Sequence, residues 1–289
     1  MASWKNATAG TARGVLRSAE TERAAALRRD AHVSDVLTPF VERYWSVSWN
    51  RTGRPPFRSE VLSHPSVNLS VETGSEPRFG HDLPAVLVHG VVPRRFTVDL
   101  TGSGRVTAAK FRPGGFAAFC GVLPARDGVT RLAGELPLAP DALLAAVTAE
   151  AEDEAEDEAR AAVLDAALAP LTPEPPGAYL DLLELLDRMV DDRSLVRVEQ
   201  VAALGAMSVR SLQRSFGSYV GVSPKSVLAR YRLQDAAALT DAGEGEDLAA
   251  PAVSLGWFDQ AHFSRDFRAV VGVPPSVYLR QVRTLTSSS

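Results

Sequence analysis

Arg210, Gln213 and Arg214 stand within two turns of a single helical stretch, and a second stretch downstream gathers Gln260, His262, Ser264 and Arg265. Guanidinium and carboxamide groups at this density can form paired hydrogen bonds with guanine and adenine edges in a major groove. Ser and His can reach bases or phosphates. Ser208 and Ser211 accompany the first group, and Ala261 sits in the second, where it offers only an apolar contact. These ten positions are the candidate base- and phosphate-contacting residues. For one isolated helix, Arg210, Arg214 or Arg265 would read simply as a solvated face; repetition and spacing argue against that here.

The two stretches are one unit written twice. Ser208, Leu212, Arg214, Phe216, Val220, Gly221, Val222, Pro224 and Leu228 align, at a constant offset of 51 positions, with Asp259, Phe263, Arg265, Phe267, Val271, Gly272, Val273, Pro275 and Leu279. Most pairs are identities, and Leu204-Gly205 with Leu255-Gly256 extend the match upstream. Each copy therefore reads as a turn, a helix, a second turn and the start of another helix: a duplicated helix-turn-helix. Ser208 and Asp259 are suited to accept a bond from the unpaired backbone donors of a first helical turn. Leu212 with Phe216, and Phe263 with Phe267, recur at i, i+4 and supply the buried edge, leaving the polar residues to face outward.

Ser223 and Pro224 open a further helix between the copies, whose pattern runs through Val227, Leu228, Tyr231, Leu233, Ala236 and Leu239 to Thr240 before Gly243. At about 1.5 Å per residue it is roughly 25 Å long. With the width of the flanking helices added, it can hold two recognition helices about one duplex turn, ~34 Å, apart.

On these motifs the last third of the chain, residues 178 to 283, resembles the DNA-binding domain of the AraC/XylS transcriptional regulators. The residues that carry the likeness are Ser208 to Phe216 with Gly221-Val222-Ser223-Pro224, then Leu255 to Phe267 with Gly272-Val273-Pro274-Pro275. The resemblance implies base reading by Arg210, Gln213 and Arg214 and by Gln260, Ala261, His262, Ser264 and Arg265. It implies double-stranded DNA as the partner, RNA polymerase as a contact, a small-molecule effector and homodimerisation through the N-terminal half, in a bacterial activator or repressor. One departure is the helix ahead of the second recognition helix, Asp247-Leu248-Ala249-Ala250-Pro251-Ala252-Val253. Pro251 removes a backbone donor and restricts Ala250, so a late or kinked start is expected. The acidic stretch Asp241 to Asp247 before it would repel phosphate.

Composition fits two domains: 289 residues with 45% hydrophobic content fill two cores. The net charge of −4 is not that of a nonspecific nucleic-acid coat, so DNA binding must rest on clustered arginines. A single cysteine excludes an internal disulfide and a multi-cysteine zinc site, which fits a cytoplasmic setting. With no long apolar span, no membrane association is expected, and Met1 to about Thr11 reads as a disordered tail.

Residues 12 to about 136 carry short β-type runs: Val41 to Trp49, Glu60 to Leu62, Val67 to Val71, Ala85 to His89, Phe96 to Leu100 and Val106 to Phe111. Turns are expected at Thr73-Gly74-Ser75, Thr101-Gly102-Ser103-Gly104 and Arg112-Pro113-Gly114-Gly115. The expected fold class is α+β: an N-terminal β-rich barrel or sandwich, then an all-α domain with two helix-turn-helix motifs joined by a linker helix. Through Tyr44 to Trp49, His64 to Leu69 and Lys110 to Phe116 this half also resembles the sensor-like β domain found ahead of AraC-type modules. Trp45, Trp49, Phe57, Phe79, Phe96, Phe111 and Phe116 either line an effector pocket or fill the core.

Asp141 to Leu168 reads as helical and very acidic, with Glu150, Glu152, Asp153, Glu154, Glu156, Asp157 and Glu158 in one block. Successive acidic residues point in all directions, so a solvated face or an insert is expected rather than a cation cage. The stripes Leu143, Leu144, Val147 and Val163, Leu164, Leu168 pack on the β domain or on a second subunit. The expected boundaries are a β-rich domain with trailing helices over 12–170, a Pro-rich linker over 171–177 and the DNA-binding domain over 178–283, whose core begins at Tyr179, Leu182, Leu183, Leu186 and Met189.

The competing class is a metal-dependent or ligand-binding β-barrel enzyme with the helical domain as an interaction module. Its soft ligands would be His64, His81, His89 and Cys120, none in a closely spaced pair. No nucleophile elbow, phosphate loop or HExxH is present, so neither a catalytic residue, a metal ligand nor a cofactor is assigned. Cys120 reads equally as a small buried apolar residue or as a redox or electrophile switch; the switch needs an exposed thiolate of lowered pKa, and no neighbouring Lys or Arg stands beside it in sequence.

Overall fold

The computed structural model describes residues 15–16, 21, 23–62, 64–132, 139–149, 155–192, 194–241, 257, 259–278 and 280. Two antiparallel sheets build the first half. The larger has the order β2-β3-β8-β5-β6-β9, from β2 (Ala26–Ala31), β3 (Val41–Asn50), β5 (Asn68–Gly74), β6 (Ala85–His89), β8 (Ser103–Phe111) and β9 (Val129–Arg131). The smaller is β1-β4-β7, from β1 (Val15–Leu16), β4 (Phe57–Val61) and β7 (Phe96–Leu100).

Every run expected to be a strand lies wholly or largely in one. β1, β2 and β9 were not expected; they are short or carry no strict alternation. Ser103 and Gly104 belong to β8 rather than to the turn, opposite Asn50 and Trp49. Gly104 is there for space: a Cβ would run into the Trp49 indole. Thr73 and Gly74 likewise pair with Arg105 and Gly104 at the end of β5.

A helix not foreseen in the sequence, α1 (Gly115–Cys120), follows the Arg112 to Gly114 turn. Its residues Gly115 to Phe119 are all buried, and a short run that is apolar all round has no periodicity to separate helix from strand. Two helices, α2 (Pro140–Ala149) and α3 (Ala155–Leu168), then cover the larger sheet. Leu143, Val147, Leu164 and Leu168 are buried against it. Part of the acidic block, residues 150–154, lies outside the described residues. Asp157 is not solvated as expected: its carboxylate meets Arg105 at 2.6 Å and Arg160 at 3.6 Å. Asp165 accepts from Tyr44 Oη at 2.9 Å and from the Ser34 N–H at 3.0 Å, tying α3 to β3.

The second half is helical: α4 (Gly177–Asp191), α5 (Val198–Leu204), α6 (Val209–Tyr219), α7 (Pro224–Asp241) and α8 (Gln260–Val271). Tyr179, Leu182, Leu186 and Met189 of α4 join one continuous core with Phe40, Phe116 and Phe119. Phe40 stacks on Tyr179 with centroids 5.9 Å apart, and Tyr179 Oη donates to the Pro39 carbonyl at 2.6 Å. No helix among the described residues is long and apolar enough to cross a membrane.

Candidate nucleic-acid interface

The first helix-turn-helix is α5, a turn and α6. Gln200 Oε1 accepts from the backbone N–H groups of Val196 and Arg197 at 3.0 and 2.9 Å, closing the start of α5. The turn ends with the Met207 N–H on the Ala202 carbonyl at 3.0 Å. Ser208 then caps α6 as its spacing implied, accepting from the Ser211 N–H at 3.1 Å. Leu212 and Phe216 are fully buried beneath the helix.

The second copy has the same construction. Asp259 caps α8 by accepting from the His262 N–H at 2.6 Å. Phe263, Phe267 and Val271 are buried in a cluster with Trp257, Leu233 and Tyr278. Trp257 meets Phe263 edge-on at 4.9 Å and donates to Asp266 at 3.0 Å, while the Arg232 guanidinium lies over its ring at 4.8 Å. Both recognition helices end in left-handed glycines, Gly221 (φ +79°) and Gly272 (φ +87°), conformations that L side chains rarely adopt. Between them α7 begins at Pro224 behind Ser223, which accepts from the Ser226 N–H at 3.2 Å. Its 18 residues span about 27 Å. The helix expected over Asp247 to Val253, with its kink at Pro251, lies outside the described residues.

On α6, Arg210, Gln213 and Arg214 are exposed on one face at i, i+3, i+4, opposite the buried Leu212 and Phe216. On α8 the equivalent face carries Ala261, Ser264 and Arg265, with Gln260 exposed at its start. Ser208 and Ser211 face each other instead, their hydroxyl oxygens 2.9 Å apart, which makes them a capping pair first. His262 is half-exposed, with Nε2 3.4 Å from Asp266. Two exposed cations escaped the sequence reading. Arg268 continues the α8 face one turn beyond Ser264 and Arg265, a periodicity that could have found it, and Lys225 occupies the first turn of α7.

Family comparison supports this geometry. A helix-turn-helix domain model matches residues 201–281, and a domain of unknown function matches residues 32–128. The C-terminal region is a helix-turn-helix domain. An uncharacterized HTH-type transcriptional regulator of Haemophilus influenzae is 34% identical over 85 residues, 29% of this chain and 28% of that protein, so the match spans just over a quarter of the relative's length. Among solved structures, ToxT from Vibrio cholerae superposes at a TM-score of 0.42 with 10% identity, over 88% of this chain and 97% of that one. ToxT bound to (E)-4-(8-methylnaphthalen-1-yl)but-3-enoic acid gives 0.42 with 12% identity, over 89% and 98%.

The helix-turn-helix domain is held by the strand-rich half at several points. Leu62, just after β4, is fully buried in the Phe263 and Phe267 cluster, and its carbonyl accepts from Gln234 Nε2 at 2.6 Å. Arg230 of α7 donates to the carbonyls of Val92 and Arg94 at 3.0 and 3.2 Å, and its burial pushes the guanidinium pKa down to about 10. His64 packs against Tyr231 at 5.0 Å; burial, reinforced by nearby Lys110, pushes the imidazole down to about 3. His89 meets Glu72 at 2.9 Å and His81 lies 3.2 Å from the Val129 carbonyl. Among the described residues no three His, Cys, Asp or Glu side chains converge.

Proposed function

We propose that this protein is a sequence-specific transcription regulator that reads two successive major grooves with α6 and α8. The observation that carries the reading is the pair of matched outward faces, Arg210-Gln213-Arg214 and Ala261-Ser264-Arg265, each on a side-chain-capped helix that is buried on its other side. Arginine and glutamine serve base edges, helix N-termini and Lys225 serve phosphates, and α7 sets the spacing. Gln260 and His262 add contacts at the start of α8, and Ser208 and Ser211 hold the first turn of α6 in shape.

The working division is a sensing or oligomerising β-rich domain over 12–170, a linker over 171–177 and the DNA-binding domain over 178–283. An effector or partner subunit at the β-rich domain would shift how that domain holds the recognition helices. The protein acts in the bacterial cytoplasm, with RNA polymerase and a second copy as further partners, and is not an enzyme. The test is fluorescence anisotropy of the full chain on duplexes taken from a random library. Regulator function requires a selected duplex to bind at least tenfold more tightly than a scrambled one at the same salt; equal affinities would overturn it.

A further inference from the structure

Beside the second recognition helix runs an open cleft of about 830 Å³, with α8 as one wall and the start of β7 as the other. Arg265 and Arg268 line it from α8, and Arg94, Arg95 and Thr97 line it from the strand-rich half. The main chain fixes this placement. The carbonyls of Val92 and Arg94 accept from the buried Arg230 of α7, and the Arg95 N–H donates to the Val270 carbonyl at 3.0 Å. The segment before β7 is therefore held against α7 and α8 through its backbone, while the Arg94 side chain is left exposed.

The charges of the cleft are unbalanced. Arg95 is paired with Glu60 at 2.7 Å and sits at the C-terminal end of α8, where it offsets the partial negative charge of the last carbonyls. Arg94, Arg265 and Arg268 are all exposed, and none of them pairs with a carboxylate among the described residues. Among the described residues that line the cleft the only acid is Asp127, whose charge also acts on Arg230. A small anion gains little from solvated arginines on two walls of an open cleft, because water and salt screen each pair. A phosphodiester strand gains more, since every phosphate that is neutralised releases condensed counterions.

Position points the same way. In helix-turn-helix complexes the N-terminal residues of the recognition helix reach the base edges. With Gln260 and Ala261 at that end of α8, Arg268 stands about two turns further on, at the rim of the groove where the backbone runs. We propose that the strand-rich half is itself part of the DNA interface: the phosphodiester strand bordering the groove read by α8 enters this cleft, with Arg268 on one side of it and Arg94 on the other. The inference rests on the regulator reading for the seat of α8 in a groove. Arg94 carries no sequence information there; it sets the register of the duplex against both halves of the chain at once.

The test measures anisotropy of the full chain on a selected and a scrambled duplex at about 50 and 200 mM salt. Arg94→Gln and Arg94→Ala should weaken both duplexes by the same factor. The step in salt should cost each variant about 3.5-fold less affinity than it costs the parent, the share of one phosphate's counterions. Arg94→Lys should restore the parental salt dependence. A single neutral methylphosphonate, placed in turn at the phosphates around the α8 half of the site, locates the contact: at one position it should weaken the parent and leave Arg94→Gln unaffected. A purely structural role for Arg94 gives no such coupling. Urea midpoints check folding, and two neutral replacements keep the result from hanging on the fold of one. Parental salt dependence in both neutral variants, or no coupled phosphate, would overturn the proposal. So would tight binding of pyrophosphate to the DNA-free chain that Arg94→Gln abolishes, which makes the cleft a small-anion site. A parent that prefers the selected duplex while ignoring Arg94 sinks this contact alone. Equal affinity for the two duplexes with the Arg94 dependence intact sinks specific regulation alone, and a parent that binds neither duplex sinks both.

Discussion

The backbone N–H of Arg95, in the strand-rich half, donates to the carbonyl oxygen of Val270 at 3.0 Å, so the C-terminal end of the second recognition helix is held by the other half of the chain. Helix C-termini carry unpaired carbonyls and partial negative charge, and an arginine there is favourable on both counts. The Arg95 guanidinium is oriented by Glu60 at 2.7 Å and lies against Gly272, where an added Cβ would stand 2.8 Å from it. The N-terminal end of α8, the end that enters a groove in helix-turn-helix complexes, stays exposed.

Gly272→Ala tests that clamp. A left-handed alanine costs about 1–2 kcal/mol of backbone energy, and its methyl must also displace the Arg95 guanidinium. Chemical denaturation should show a loss of at least that size. In a double-mutant cycle Arg95→Ala should recover part of it, with a coupling of about 0.5 kcal/mol or more, whereas additive losses would mean that the two groups do not meet.

Single alanine substitutions of Arg210, Arg214 and Arg265 should each cost about 1–3 kcal/mol of specific duplex affinity and relax base preference at one position of the site. Lys225→Ala should weaken binding evenly across sequences and lower the salt slope by about one. Anisotropy titrations at several salt concentrations separate the two behaviours.

His64 makes stability depend on pH. Its pKa falls from an ordinary 6.5 to about 3 in the folded protein, so the unfolded chain binds the extra proton first. Its contribution is complete above pH 6.5 and is lost as pH falls from 6.5 toward 3, at up to about 1.4 kcal/mol per unit. The Glu42 carboxyl is pushed up by burial but held well below its ordinary 4.5 by Lys110 and Arg43, which adds a loss below that pH. Urea midpoints should drop between pH 7.5 and pH 5.5 in the parent protein, and His64→Gln should flatten that drop.

Cys120 should be inert while the protein is folded. It is half-buried and burial pushes its thiol up to about 12, so almost no thiolate exists at neutral pH. A disulfide-exchange reagent should label it far faster in denaturant than in buffer. Rapid labelling of the native protein would restore a redox role.

The parts legible in sequence are those with a local cause. Ser208 and Asp259 cap because a short polar side chain precedes an i, i+4 apolar pair, and both recognition faces follow from that period. The β3 to β8 strands were legible as short β-type runs separated by Gly- and Pro-containing turns. Other features depend on partners distant in sequence. Nothing local marks Leu62 as a plug for the α8 core, because it looks like any strand-end leucine. Arg95 is one of several exposed-looking arginines until β7 lies beside α8. Asp157 sits in an acidic run, and its closest partner is Arg105, 52 residues away. The bulge that gathers Glu42, Arg43 and Lys110 likewise arises from pairing between β3 and β8.

The most direct measurement is selection of duplex DNA from a random library by the purified full-length protein, run in parallel with the Arg214→Ala, Arg265→Ala double variant after its fold has been verified. Reading of two grooves predicts enrichment of a bipartite motif whose halves lie about one helical turn, ~10 base pairs, apart, and loss of that enrichment in the variant. A parent protein that enriches no motif, or a variant that enriches the same one, would contradict recognition through α6 and α8.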